Sequence, residues 1–279
     1  MSHSKDNADA VANDHTLRSQ LVHGLVQEAQ SLPLDSINQD IGYIPKVLIQ
    51  YWHDLSELPA DVSTCMSSWD PVIKREQIER LVFEDKSANE FLIENFDEEH
   101  ERAFSNCHHP AMRCDYFRLC YLSKRGGFYV DADEEFRGGG VDQLFEGSRL
   151  KLQPLCFDLR LGAMVPFQDF GRDVEFNENR IYYVNNNPLV APKDHSLVNR
   201  SLEQATYNLL HTPKPHDVQA TTGPGNFTYS LVKTVVEEDL GYADCSFRFV
   251  FEWDKISISK WPLSYRNDKR NWRLWNPPK

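Results

Sequence analysis

One stretch constrains this chain more than any other: "HPAMRCDYFRLCYLSKRGGFYVDADEE", residues 109–135. It predicts a helix running directly into a strand. Proline stands near the start, Met112, Tyr116, Leu119 and Cys120 recur at helical spacing, and Lys124, Arg125 and two glycines mark the end. Read as a strand, residues 128–133 put Phe128, Val130 and Ala132 on one face and Tyr129, Asp131 and Asp133 on the other. Two carboxylates then project together from the strand's C-terminal end, with Glu134 and Glu135 behind them. Open α/β sheets bind ligands at that end, and paired oxygens there suit Mg²⁺ or Mn²⁺ holding a diphosphate. An ordinary acidic turn is the alternative for such a pair. On the helix, Asp115 and Arg118 lie three residues apart on one face, the spacing of an ion pair of the kind common on protein surfaces.

The flanking sequence supports an α/β domain. "IPKVLIQYW", residues 44–52, is a short apolar run after a proline, the pattern of a strand buried on both faces. Residues 17–32 carry a helical stripe of Leu17, Leu21, Leu25 and Ala29 flanked by Val22 and Val26. Its polar face has few basic residues, so packing on the main domain is expected rather than a membrane surface. The first dozen or so polar residues are expected to fray, and "DSINQDIGY", residues 35–43, to connect. Residues 71–96 give mixed helical signals. No fixed-period repeat and no Pro/Gly/Ser linker divides the chain. The expected organisation is an N-terminal extension over residues 1–40, partly disordered and then helical, followed by one domain over residues 41–279.

Composition excludes several classes of function. With 279 residues and 41% hydrophobic content the chain can bury a full core. A formal net charge of -12 argues against bulk nucleic-acid binding, and an anionic substrate would need local positive charge or a metal ion. No apolar stretch approaches the ~20 residues of a membrane span, and the N-terminus lacks a secretory pattern, so a soluble, cytoplasmic protein is expected. The six cysteines form no C-x-x-C pair, which points to reduced, buried thiols rather than a zinc ribbon or redox site. "CHH" at residues 107–109 reads as loop. Phosphate-cradling glycine motifs are absent.

Taken in order, "IPKVLIQYW", "AMRCDYFRLCYLSKRGGFYVDAD", "YYVNNNPLVAPKDH" and "TTGPGNF" resemble glycosyltransferase family 32, over residues 44–228. This DXD sugar-binding group includes yeast-type mannosyltransferases and the glucosylating domains of clostridial toxins. The resemblance implies a GT-A fold: α/β, with a Rossmann-like, mostly parallel central sheet flanked by helices. It also implies a nucleotide-sugar donor, UDP-linked in preference to GDP-mannose, and a divalent metal, Mn²⁺ or Mg²⁺. The implied reaction is retaining transfer of a hexose to a glycan, lipid-linked or protein acceptor, as in polysaccharide biosynthesis, with peripheral membrane association open.

By motif match, Trp52 would stack on the donor's base, and Asp115 and Arg118 would hold sugar hydroxyls. Asp131 would contact ribose or sugar, Asp133 would ligate the metal with Asp131 beside it, and Tyr129 and Ala132 would complete the donor site. Asn185, Asn186 and Asn187, with Gly223, Pro224 and Gly225, would border the acceptor. An aromatic face suits a base, a carboxylate and guanidinium suit a polyol, and a divalent ion neutralises a departing diphosphate. The chain departs from the pattern at Cys114, where relatives carry serine, and in its tail, which lacks the late histidine of many relatives. Ser264, Asn267, Asp268, Asn271 and Trp272 are the tail's candidates for the metal and diphosphate site, with a basic cluster of Arg266, Lys269, Arg270 and Arg273. Two other readings compete: a catalytically silent sugar-nucleotide-binding relative, and a D-x-D phosphatase using the first aspartate as nucleophile.

Overall fold

The computed structural model describes residues 2–32, 42–212 and 217–275; most of the expected connector lies outside the described residues. Two helices come first, α1 (Ser2–Asn13) and α2 (His15–Ser31). Asp14 separates them and caps α2, its carboxylate accepting from the amides of Thr16 and Leu17. The fraying expected for the first residues is therefore corrected. Ala8 and Ala12 are fully buried, and Asp9 pairs with Lys233 at 2.5 Å, so tertiary packing holds a helix that its own composition would not.

Strand β1 (Val47–Tyr51) follows, then α3 (Ala60–Ser67), α4 (Asp70–Glu76), β2 (Glu79–Phe83), α5 (Asp85–Asn95) and α6 (Glu98–Ser105). The strand β2 was hidden in a stretch read as helical. Gln77, left-handed at φ 54°, ends α4 and returns the chain parallel to β1, with Val47 opposite Glu79 and Tyr51 opposite Phe83.

The expected helix and strand are α7 (Pro110–Arg125) and β3 (Gly127–Tyr129), with His109 capping the helix and Pro110 in its first turn. The strand stops before the two aspartates. After Val130 donates to the Ile49 carbonyl, the Asp131 amide is taken by the Asn187 side chain at 2.8 Å instead of a neighbouring strand. Asp131 and Asp133 thus sit on a turn leading into β4 (Glu134–Phe136), not on one face of a longer strand.

The remaining elements are β5 (Leu150–Leu152), β6 (Pro154–Asp158), β7 (Ala163–Val165), α8 (Phe167–Phe170), β8 (Arg180–Val184) and β9 (Leu189–Ala191). After them come α9 (Ser196–His211), α10 (Val218–Thr221), α11 (Pro224–Glu238), β10 (Phe247–Phe249) and β11 (Ser257–Ser259). A six-stranded sheet in the order β10-β5-β9-β3-β1-β2 forms the centre, and β9 alone runs against the other strands. Alternate residues enter two cores: Leu48, Phe128 and Val190 on one face, Ile49, Tyr129, Leu189 and Ala191 on the other. This is the expected α/β architecture with a mostly parallel sheet between helices. Smaller antiparallel sheets, β7-β6-β8 and β11-β4, flank it. Among the described residues no helix is long and apolar enough to cross a membrane.

The turn between α7 and β3 depends on Gly126, at φ +69°, where an added Cβ would lie 2.6 Å from the Lys193 amide nitrogen. Gly126→Ala is expected to destabilise the fold by at least ~1 kcal/mol from left-handed strain alone. Urea unfolding measures it, and an unchanged midpoint would contradict this account of the turn.

Candidate active site

A cavity of about 420 Å³ opens where β1 and β3 end. Helix α7 forms its floor, the asparagine turn between β8 and β9 one wall, and the segment from Ser259 to Arg273 its cover. Its size and position at the carboxyl edge of the sheet are those of a small-molecule site.

Charge is concentrated on the floor. Asp115 and Arg118 form the expected ion pair at 3.0 Å, but it is buried rather than on the surface, with the Arg118 side chain only 2% exposed. The same guanidinium nitrogen reaches Asp131 at 2.8 Å, and the other terminal nitrogen donates to the Asn186 carbonyl at 2.6 Å. The Asn186 amide returns a bond to Asp115 at 2.9 Å, and the Thr222 hydroxyl a longer one at 3.4 Å. Burial works against the Arg118 charge, yet Asp131 and Asp115 outweigh it and raise its pKa well above the ordinary value. Burial pushes Asp115 up to about 6 against the pull of Arg118. Cys114 fits beneath Asp131, its sulfur 2.9 Å from the Tyr129 hydroxyl, and burial pushes its thiol up so that it stays protonated.

A second acidic group lies under the cover. Asp133 accepts from the Tyr265 hydroxyl at 2.6 Å and pairs with Arg266. Burial and then Asp131 raise its pKa, while Arg266 and Tyr265 oppose them. Glu134 is buried between Asn187 and Ser257, and burial, then Asp133 and Asp131, push it up to about 8. At neutral pH it is therefore mainly uncharged.

Most of the residues expected at the site meet here. Trp52, Asp115, Arg118, Asp131, Ala132, Asp133, the three asparagines 185–187, Pro224, Asn271 and Trp272 line the cavity. Tyr129 does not: it is fully buried beneath Arg118, whose guanidinium lies 4.6 Å from its ring centre. Gly223 and Gly225 pack the start of α11 against residues 218–220, and Gly223 leaves the room in which Asp115 sits. Ser264 is turned away, its amide and hydroxyl both bound to Asp61, and Asp268 pairs with Arg270. Trp52 is only 8% exposed, with the Tyr265 ring edge-on at 5.2 Å. The sequence reading passed over Ser259, Trp261 and Tyr265 of the cover. The interleaving of aromatic and basic residues in "WPLSYRNDKRNWR" was the available signal for the last two.

Among the described residues, three buried donors on the cavity have no hydrogen-bond partner: the Trp52 indole nitrogen and the Nε atoms of Arg118 and Arg266. A buried donor left unpaired is costly, so this cavity suits a ligand rich in acceptor oxygens. Residues 59–140 match the family described as glycosyltransferase sugar-binding region containing DXD motif. That segment is similar to the sugar-binding region of DXD-type glycosyltransferases. The matched segment holds Asp115, Arg118, Asp131 and Asp133, while Trp52, the asparagine turn and the cover lie outside it. A solved structure, the PaToxG glycosyltransferase, is similar over 98% of this chain and 95% of that chain, at 12% identity and a TM-score of 0.43. No curated protein matches the chain.

Proposed function

We propose that the enzyme moves a hexosyl group, with retention of anomeric configuration, from a nucleotide sugar to a glycan, lipid-linked or protein acceptor. UDP-linked donors are preferred to GDP-mannose. The observation that carries this reading is the buried Asp115–Arg118–Asp131 network on the cavity floor, with unpartnered donors around it. A structural ion pair has no need of a cavity; a polyol needs carboxylate and guanidinium groups held rigidly at one.

Arg118 and Asp115 hold the sugar's hydroxyls, and the Asn186 contacts to both fix their orientation. Trp52 presents its indole to the base, and Asn185 to Asn187 and Pro224 face the acceptor. Asn271 positions the cover by donating to the Arg266 carbonyl at 2.7 Å, and Trp272 and the basic side chains face the diphosphate.

The donor set also fits a divalent ion, Mn²⁺ or Mg²⁺. Asp133 is a buried hard-oxygen ligand already compensated by a cation, with Asp131 nearby. Among the described residues no three His, Cys, Asp or Glu side chains gather as a ready ion cage. That matches a magnesium-type site, where one or two carboxylates act with phosphate oxygens and water. Bound there, the ion would neutralise charge growing on the departing diphosphate.

Thermal stabilisation by a panel of nucleotide sugars with Mn²⁺, followed by donor hydrolysis, tests the reading. Stabilisation with hydrolysis supports it; stabilisation without hydrolysis indicates a silent binder, and phosphate release from a phosphomonoester indicates a phosphatase. Base stacking contributes roughly 1 to 3 kcal/mol, so Trp52→Ala is expected to weaken nucleoside diphosphate binding by that amount in calorimetry. Unchanged affinity per folded molecule would reduce Trp52 to a packing residue.

A further inference from the structure

We propose that Arg266 is an exchangeable counter-ion: its guanidinium occupies the cation position at Asp133 in the empty enzyme and passes to the donor's diphosphate when metal and nucleotide enter together. The inference rests on the reading of Asp133 as a metal ligand.

Occupancy comes first. One carboxylate oxygen of Asp133, Oδ2, accepts from both Tyr265 and Arg266. That oxygen has no lone pair left for a metal ion, and an ion taken on Oδ1 of the same carboxylate would stand beside the same guanidinium. Charge then decides which partner leaves. A hydroxyl is neutral, whereas a guanidinium beside a divalent ion in a buried site is a like charge held out of water. Arg266 is the group displaced.

The structure also gives the side chain somewhere to go. Its backbone is held apart from Asp133: the Asn271 amide binds the Arg266 carbonyl, and Ser264 of the same turn is fastened to Asp61. A rotation of the side chain alone therefore suffices. The guanidinium carbon lies over the Trp261 ring, 3.7 Å from its centre, an aromatic surface that can support the cation as it moves. Its side chain is 9% exposed, yet its Nε is buried without a partner, so the group is incompletely satisfied where it stands. A phosphate would engage Nε and one terminal nitrogen together, the two-pronged contact that a lysine cannot make. The groups facing it are Asp133, Tyr265, Ser259, Trp261 and Arg273, and among the described residues no other carboxylate bonds to it.

Mn²⁺ binding, followed by electron paramagnetic resonance with and without UDP, tests this apart from turnover. Without nucleotide, Arg266→Gln is expected to bind Mn²⁺ at least tenfold more tightly than the unmodified enzyme. UDP should tighten Mn²⁺ binding strongly in the unmodified enzyme and much less in the variant. A folded Arg266→Gln protein that binds Mn²⁺ no more tightly overturns the exchange while leaving the metal reading in place. Absence of Mn²⁺ binding in both proteins, with or without UDP, overturns the metal reading and the exchange with it. Should the variant fail to fold, the Arg266 Nε–H resonance of the unmodified enzyme decides the question. It should move with Mg²⁺ and UDP together and stay in place with Mg²⁺ alone at low concentration; an unmoved resonance in the full complex overturns the proposal.

Discussion

Arg118→Lys is expected to yield a folded enzyme that binds the nucleoside diphosphate almost normally but transfers and hydrolyses the sugar ~10²-fold more slowly or worse. The guanidinium, only 2% exposed, bridges two carboxylates and a backbone carbonyl from the cavity floor. Lysine keeps the positive charge, so the buried Asp115 and the half-buried Asp131 are not left without a compensating cation. What it loses is the planar fork that serves these partners at once. Arg118→Ala is a different experiment: removing one member of a buried pair costs about 3–5 kcal/mol, so its low activity would be confounded by unfolding. The discriminating measurement is donor hydrolysis by Arg118→Lys at matched folded fraction, beside calorimetry with the diphosphate alone. Near-normal hydrolysis would return Arg118 to a purely structural role.

Asp133→Asn should have the second large effect. The side chain keeps its shape and its place beside Tyr265, but one charge disappears from the carboxylate that lies under the cover. Metal help at a departing diphosphate amounts to several kcal/mol, and turnover is expected to fall by at least ~10²-fold even at high Mn²⁺. Chelation by EDTA should silence the unmodified enzyme to a similar degree. Activity that persists in EDTA, or in Asp133→Asn, would remove Asp133 from the metal site and with it the reason for a divalent ion.

How much of this was legible in the sequence depended on how local the cause was. Helix α7 could be read because proline, apolar spacing and left-handed glycine all act within one segment. Strand β1 could be read because both its faces are buried, leaving an apolar run interrupted only by Gln50. Strand β2 could not: "ERLVF" is half-covered and acquires its conformation from β1. The end of β3 is set by the Asn187 side chain, 56 residues away, which no pattern around Asp131 discloses. In the site, the residues Asp115, Arg118 and Asp133 came from a motif, but their burial did not. Asn186 closes over Asp115 from 71 residues further on, turning what reads as a surface pair into a sealed network. The tail's basic cluster was visible as composition; that one of its members, Arg266, would face Asp133 was not.

The docking of α1 gives the protein an internal reporter of its own integrity. Asp9 and Lys233 are 224 residues apart, and a polar helix of 12 residues is marginal by itself in water. Its amides are expected to owe their protection from hydrogen exchange to packing on α2 and, above all, on α11, whose first turn begins at the edge of the cavity. Exchange along α1 therefore follows the opening of α11 rather than local fraying, and slowing of that exchange by a bound nucleotide sugar would register, at the far end of the helix pair, the filling of a cavity that α1 never touches.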